Sequence, residues 1–379
     1  MRSIVRSLVI VVQTIVIPFA DTGLAQFPIP SSVKSKLDAV TGKMKDVELT
    51  QAEEVALGQE ISSRVRARYG VVQDPEIHKY VSLVGSSLTR QTAQNGIAWH
   101  FIVLDTDGVN AFAAPGGFVH LTRGALALMK SEAELAGVLS HEVAHVTMKH
   151  TIRAIQKNKL VQMGVNDTSV KSNQELFKRL TDEGTRVVMS GFGRAEELEA
   201  DGEGIATSDK AGYSPSSLKT FLTAIKLRND KSNERQGFFS SHPELDERLQ
   251  KIDERIELEK RTATVTLEDR FSSNVKYNSV ALAEIGTVEA KTEASSGSKP
   301  EKKEEPPPKA KSRFSFGNLK NAVGGGSQTP QSAAVTGSGG SRGVDVERSA
   351  KGGSNPNEVS VTLTESDITA FISEGKLRS

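Results

Sequence analysis

Apolar and polar positions along the chain change period from block to block, and each period points to a different element. Val55, Ala56, Ile61 and Val65 lie near a 3.6-residue period behind Thr50 and Glu53, a capping box, until Tyr69-Gly70 ends the run; a helix is predicted there. Asp74-Pro75 opens a second helix whose stripe is Ile77, Tyr80, Val81, Val84 and Leu88, with His78 as a polar member read as a surface residue. The pattern then switches to β-branched and aromatic runs at Trp99–Leu104, Val109–Ala113 and Phe118–Thr122, the last two separated by Pro115-Gly116-Gly117. These runs predict a small three-stranded antiparallel sheet, with His100 and His120 inside strands in structural roles.

From Ser131 the helical period returns. Ser131 and Glu134 form a second capping-box signature before an apolar run that continues past His145. Helical stretches follow at Glu175–Met189, Arg194–Ala206, Ser216–Leu227 and Leu245–Lys260. The last keeps only a narrow seam of Leu245, Leu249, Ile252 and Ile256, and its charges read as a solvated face. Residues 261–286 form a short extension with a strand-like piece at Val265 and Leu267, and 287–356 are low in complexity. The latter is predicted to be a disordered linker, because it cannot bury enough apolar surface to offset its ordering entropy. In 357–379 Val359, Val361 and Leu363 alternate and Ile368, Phe371 and Ile372 recur at helical spacing. That small strand–helix segment is too short for a core of its own, so it packs on the main domain or a partner, or stays unfolded.

Composition narrows the function. In 379 residues the net charge is +1, which gives no electrostatic case for nucleic acid. The absence of cysteine excludes disulfides, thiolate metal sites and a cysteine nucleophile together. Residues 1–25 read as a signal peptide: Arg2 and Arg6, an apolar run from Leu8 to Phe19, then Gly23-Leu24-Ala25 for cleavage. An exported protein is expected, in the periplasm if the cell is Gram-negative, with no stable membrane span after cleavage.

The chemistry gathers in His141-Glu142-Val143-Ala144-His145. Four residues apart on a helix, His141 and His145 point the same way, so one metal ion can bridge them with Glu142 beside it. Two histidines at this spacing also decorate solvated faces. Here Ala136, Val138, Leu139, Val143, Ala144 and Val146 make the helix a buried one, and buried imidazoles and carboxylates need a polar or metallic partner. Tetrahedral zinc would lack a further protein ligand, for which Glu197 and Asp201 on the acidic helix are candidates. Read alone, Glu196, Glu197, Glu199, Asp201 and Glu203 favour an ordinary acidic helix.

The ordered set NAFAAPGG, TRGALALMKSEAELAGVLSHEVAHVTMKH, RAEELEAD, AGYSP and SHP, spread from about Ala52 to Ile256, resembles the HtpX and CAAX-prenyl-protease family of gluzincin metallopeptidases, in its soluble periplasmic branch. The resemblance implies an α+β fold: a mainly helical, zincin-type metallopeptidase domain over 33–260 with a small antiparallel sheet, followed by the disordered tail. It further implies one Zn²⁺ per chain held by His141, His145 and Glu197, Glu142 as general base and Asp201 as the partner of His141. His242 is implied close to the zinc, as a ligand or an aid to the transition state, and Asn110, Ala111, Phe112 and Ala113 as the strand that receives the substrate backbone. The expected activity is endopeptidase cleavage of exported, misfolded or stalled envelope polypeptides by a water at the zinc activated by Glu142. The alternative is an envelope-protein assembly or chaperone-like factor whose site is normally closed, with the tail recruiting an envelope partner. Membrane-embedded relatives cleave prenylated proteins, but internal spans are missing here, so such substrates are not expected.

Overall fold

A computed structural model describes residues 49–93, 96–158, 173–232, 242, 245–280 and 359–378; the expected signal peptide and the 287–356 linker lie outside them. Among the described residues no helix is long and apolar enough to cross a membrane.

Helix α1 (Gln51–Tyr69) starts at the Thr50–Glu53 capping box, with both reciprocal hydrogen bonds formed, and α2 (Pro75–Thr89) starts at Asp74 with proline in its first turn. Strands β1 (His100–Leu104), β2 (Ala111–Ala114) and β3 (Phe118–Thr122) follow. The expected sheet is present, and the β2/β3 pair is antiparallel, but β1 runs parallel to β3 and the order is β1-β3-β2. The sheet is therefore mixed. The connection from β1 skips one strand position, fixed by Arg123, whose guanidinium pairs with both Asp105 and Asp107. The hairpin back through Pro115–Gly117 then slots β3 into the middle. Gly116 makes that turn at φ 75°, where a Cβ would also lie 2.6 Å from the Val55 Cα.

Both faces of the sheet are covered, so its strands read as apolar runs rather than alternating ones. Ala111, Ala113, Val119 and Leu121 face the larger apolar cluster. Phe112, Ala114 and Phe118 face a smaller one shared with Leu57, Ile61 and Val65 of α1. His78 is buried, with Nε2 2.9 Å from the Val72 carbonyl, so its place in the α2 stripe is an inward one.

Beyond the sheet come α3 (Arg123–Leu128), α4 (Glu132–Thr147), α5 (His150–Lys157), α6 (Asn173–Ser190), α7 (Arg194–Ala211), α8 (Ser217–Ser232), α9 (Leu245–Leu258) and α10 (Glu268–Asn274). At the start of α4 the Ser131 hydroxyl accepts from Glu134 N–H as expected, while the Glu134 carboxylate accepts from Lys130 N–H instead of closing the box. Helices α4 and α7 lie close enough that a Cβ on Gly204 would meet His141 N at 3.0 Å. That approach sets the acidic face of α7 against the histidines of α4.

The last element, α11 (Glu365–Glu374), begins at a Thr364–Asp367 capping box. Val359–Leu363 form no strand. Helix α11 and the turn after it instead dock on the main domain, adding Ile368, Phe371, Ile372 and, past the helix, Leu377 to the larger cluster, so the core extends past residue 260. Beneath it, the fully buried Glu132 at the start of α4 accepts from Tyr80 Oη (2.9 Å), Tyr213 Oη (2.7 Å) and Arg270 Nε (2.7 Å). Phe371 of α11 covers the same Arg270, with the guanidinium 3.9 Å from its ring centre.

Candidate metal centre

One face of α4 carries His141 and His145 inward with their Nε2 atoms 3.0 Å apart. Across the α4–α7 contact, the Glu197 Oε2 lies 3.5 Å from His141 Nε2 and its Oε1 lies 3.4 Å from His145 Nε2. From the opposite side His242 places Nδ1 2.9 Å from Glu197 Oε2. One potential ligand atom from each of these four buried residues lies within 4.8 Å of all the others. Three imidazoles and one carboxylate form a nitrogen–oxygen donor set suited to zinc.

Glu142 supplies an independent test of that fit. It is 1% exposed, neither carboxylate oxygen accepts a hydrogen bond, and His242 Nε2 lies 3.9 Å away. A buried carboxylate without donors is costly unless a cation or water stands beside it. Burial accordingly pushes the Glu142 carboxyl above its ordinary range, against the opposing pull of His242 and His141.

Asp201, one turn along α7 from Glu197, puts Oδ1 3.0 Å from His141 Nδ1, the nitrogen turned away from Glu197. Asn110 and β2 occupy the sheet edge, and Ala113 lines a narrow cleft together with Pro115, His145 and Thr151. By the alternation of an antiparallel pair, Ala111 and Ala113 turn their main-chain groups away from β3. The Ala113 carbonyl accepts from Thr151 Oγ1 at 3.4 Å, and Ala111 N–H donates to Asn110 Oδ1 at 2.9 Å. Glu54 and Lys149, paired at 2.5 Å, flank the cleft.

Three residues at the centre were not singled out by their sequence. Arg248 is fully buried and bidentate to Asp201 at 2.7 Å through Nε and Nη2, while its Nη1 lies 2.8 Å from Glu197 Oε2. The α9 run conceals it among exposed charges, yet it sits between Leu245 and Ile252 on the seam; that position is the available signal. His150 stands behind His145 with Nδ1 to Nδ1 at 2.6 Å, and Phe192 stacks on the His145 ring at 4.2 Å.

The charges balance around this set. Burial disfavours the Glu197 carboxylate, but His242, Arg248 and the imidazoles of His141 and His145 overcome it and hold its pKa well below the ordinary range. Burial pushes His145 well down, whereas for His141 the pull of the nearby Asp201 and Glu197 carboxylates outweighs burial and raises it to about 9. Below that value the metal-free His141 is protonated, and a metal binds only the neutral ring. Zinc binding near neutral pH is therefore expected to release about one proton, with apparent affinity rising roughly tenfold per pH unit towards 9. Calorimetric titration in buffers of different ionisation enthalpy measures this; no proton release would contradict the His141–Asp201 arrangement.

The chain also resembles known proteins over this region. Residues 73–256 match peptidase family M48. The chain is 27% identical over 233 residues to the beta-barrel assembly-enhancing protease of Yersinia pestis, covering 59% of this chain and 48% of that protein. It is 29% identical over 206 residues to the mitochondrial metalloendopeptidase OMA1 of Schizosaccharomyces pombe, covering 53% and 60%. Against the metalloprotease YcaL of Escherichia coli (strain K12) it is 27% identical over 207 residues, covering 54% and 76%. The chain thus spans about half the length of the assembly-enhancing proteases it matches.

Proposed function

Residues 73–256 are a peptidase family M48 domain, and from that premise we propose that the chain is a zinc-dependent endopeptidase acting on exported polypeptides, in the periplasm of a Gram-negative cell. The observation that carries this is the convergence of His141, His145 and Glu197 beside an unbonded Glu142. The three side chains would hold one zinc ion, with Asp201 fixing the tautomer of His141. When bound, zinc supplies Lewis-acid polarisation of the scissile carbonyl and makes water acidic enough to attack near neutral pH.

Glu142 takes the proton of the attacking water and passes it to the leaving amine; its raised pKa suits that return step. The substrate backbone adds to the outer edge of β2, where the main-chain groups of Ala111 and Ala113 give sequence-tolerant binding. Thr151 yields the Ala113 carbonyl as the substrate arrives. Misfolded or stalled envelope proteins fit such a site, because they offer extended segments. Stoichiometric zinc in the purified full chain, and casein cleavage stopped by a chelator and restored by added Zn²⁺, is the expected result. A chain without zinc and without cleavage would overturn the proposal.

His242 favours a second reading. It is 2% exposed and within reach as a fourth protein ligand, which would leave the metal no position for water. The chain would then be an envelope-protein assembly or chaperone-like factor whose site opens only when His242 withdraws. His242→Ala separates the two readings. If His242 donates to the oxyanion, casein cleavage falls about 10²–10³-fold; if it closes the site, cleavage rises.

A further inference from the structure

We propose that His150 is a positioning residue for His145, fixing its tautomer through a directed chain of hydrogen bonds that ends on Glu199. The inference rests on the zinc reading above and extends it to the nitrogen of His145 facing away from the metal ligands.

The direction of the chain follows from the proton count. His145 Nε2 faces His141 and Glu197, at 3.0 and 3.4 Å. A metal there uses the Nε2 lone pair, so the neutral ring carries its hydrogen on Nδ1. That Nδ1 lies 2.6 Å from His150 Nδ1, a gap with room for one proton. His150 must therefore accept at Nδ1 and carry its own hydrogen on Nε2. Its Nε2 is 3.0 Å from Glu199 Oε2, which accepts it, and the same oxygen takes Arg153 Nη2 at 2.5 Å. Every donor along the path meets an acceptor.

The fold is arranged to hold this path. Between α4 and α5, Lys149 adopts a left-handed conformation at φ 56°, an uncommon state for a side chain with a Cβ. That single reversal turns His150, fully buried, back against His145. Phe192 stacks on His145 with ring planes 18° apart, which leaves the imidazole little freedom to rotate away. The arrangement mirrors that of Asp201 behind His141, so each ligand imidazole has its own partner. Asp201 and Glu199, both on α7, then act on His141 directly and on His145 through His150.

The test compares Zn²⁺ affinity, by competition with a chromogenic chelator, in the full-length wild type, His150→Leu and His150→Asn. Leucine fills the space without an acceptor, while the asparagine Oδ1 stands near the lost Nδ1. His150→Leu is expected to bind about 10–100-fold more weakly, with an altered visible spectrum of its Co²⁺ form. His150→Asn should recover most of that loss, because its Oδ1 can accept the same Nδ1 hydrogen. Equal unfolding temperatures of the chelated proteins exclude a general loss of fold. Unchanged affinity in His150→Leu, or no recovery in His150→Asn, overturns the proposal. Should His150→Leu not fold, ¹⁵N spectra of the histidines in the zinc-loaded wild type decide: a bare His150 Nδ1 supports the chain and a protonated one overturns it. A wild type that binds no zinc would instead sink the metallopeptidase reading, which keeps the two failures distinct.

Discussion

Glu142→Gln is expected to abolish casein cleavage while leaving the fold and zinc content of the protein unchanged. The side chain is buried and accepts no hydrogen bond, so the amide breaks no protein contact when it replaces the acid. Burial already disfavours the charged form, and a neutral isostere avoids that cost; thermal stability should stay level or rise slightly. What disappears is the group that carries a proton from water to the leaving amine, worth about 10²–10⁴ in rate. Residual cleavage within tenfold of wild type, in a variant with full zinc, would remove Glu142 from the mechanism. If cleavage is lost but a cellular phenotype of the gene persists, the assembly-factor reading gains.

The second large effect is expected at Arg248. Its guanidinium is fully buried and meets two carboxylates, Asp201 and Glu197. Arg248→Met keeps most of the volume and leaves both acids without this cation. Removing one partner of a buried ion pair costs about 3–5 kcal/mol. Urea denaturation of the chelated variant should show a loss of that order. Because the two acids would then hold protons more tightly, zinc affinity should also fall at acidic pH. A loss below about 1 kcal/mol would mean that water or rearrangement replaces Arg248, against its role as the anchor of this cluster.

Much of this was legible in local patterns. The Thr50 and Ser131 caps, the helical spacing of His141 and His145, and the i, i+4 relation of Glu197 to Asp201 are each settled within a few residues. What escaped depends on contacts remote in sequence. Arg248 looks like its exposed neighbours until α9 is laid on α7. The parallel entry of β1 follows from which strand the hairpin inserts, and hydrophobic runs covered on both faces carry no direction. His150 gave no signal of its own, since only the left-handed turn at Lys149 brings it behind His145. The docking of α11 joins residues separated by a long stretch of unpatterned chain, and its three apolar residues with Leu377 are too few to announce a core.

Helix α11 has a consequence for how the gene can vary. Since the segment from 365 to 378 is anchored by Phe371, Leu377 and Arg378 against residues of α7, α10 and the Gly212 turn, a premature stop before residue 359 would strip the cover from Tyr80 and Arg270. Alleles shortened there are therefore expected to yield a less stable protein, although every residue of the centre is still encoded.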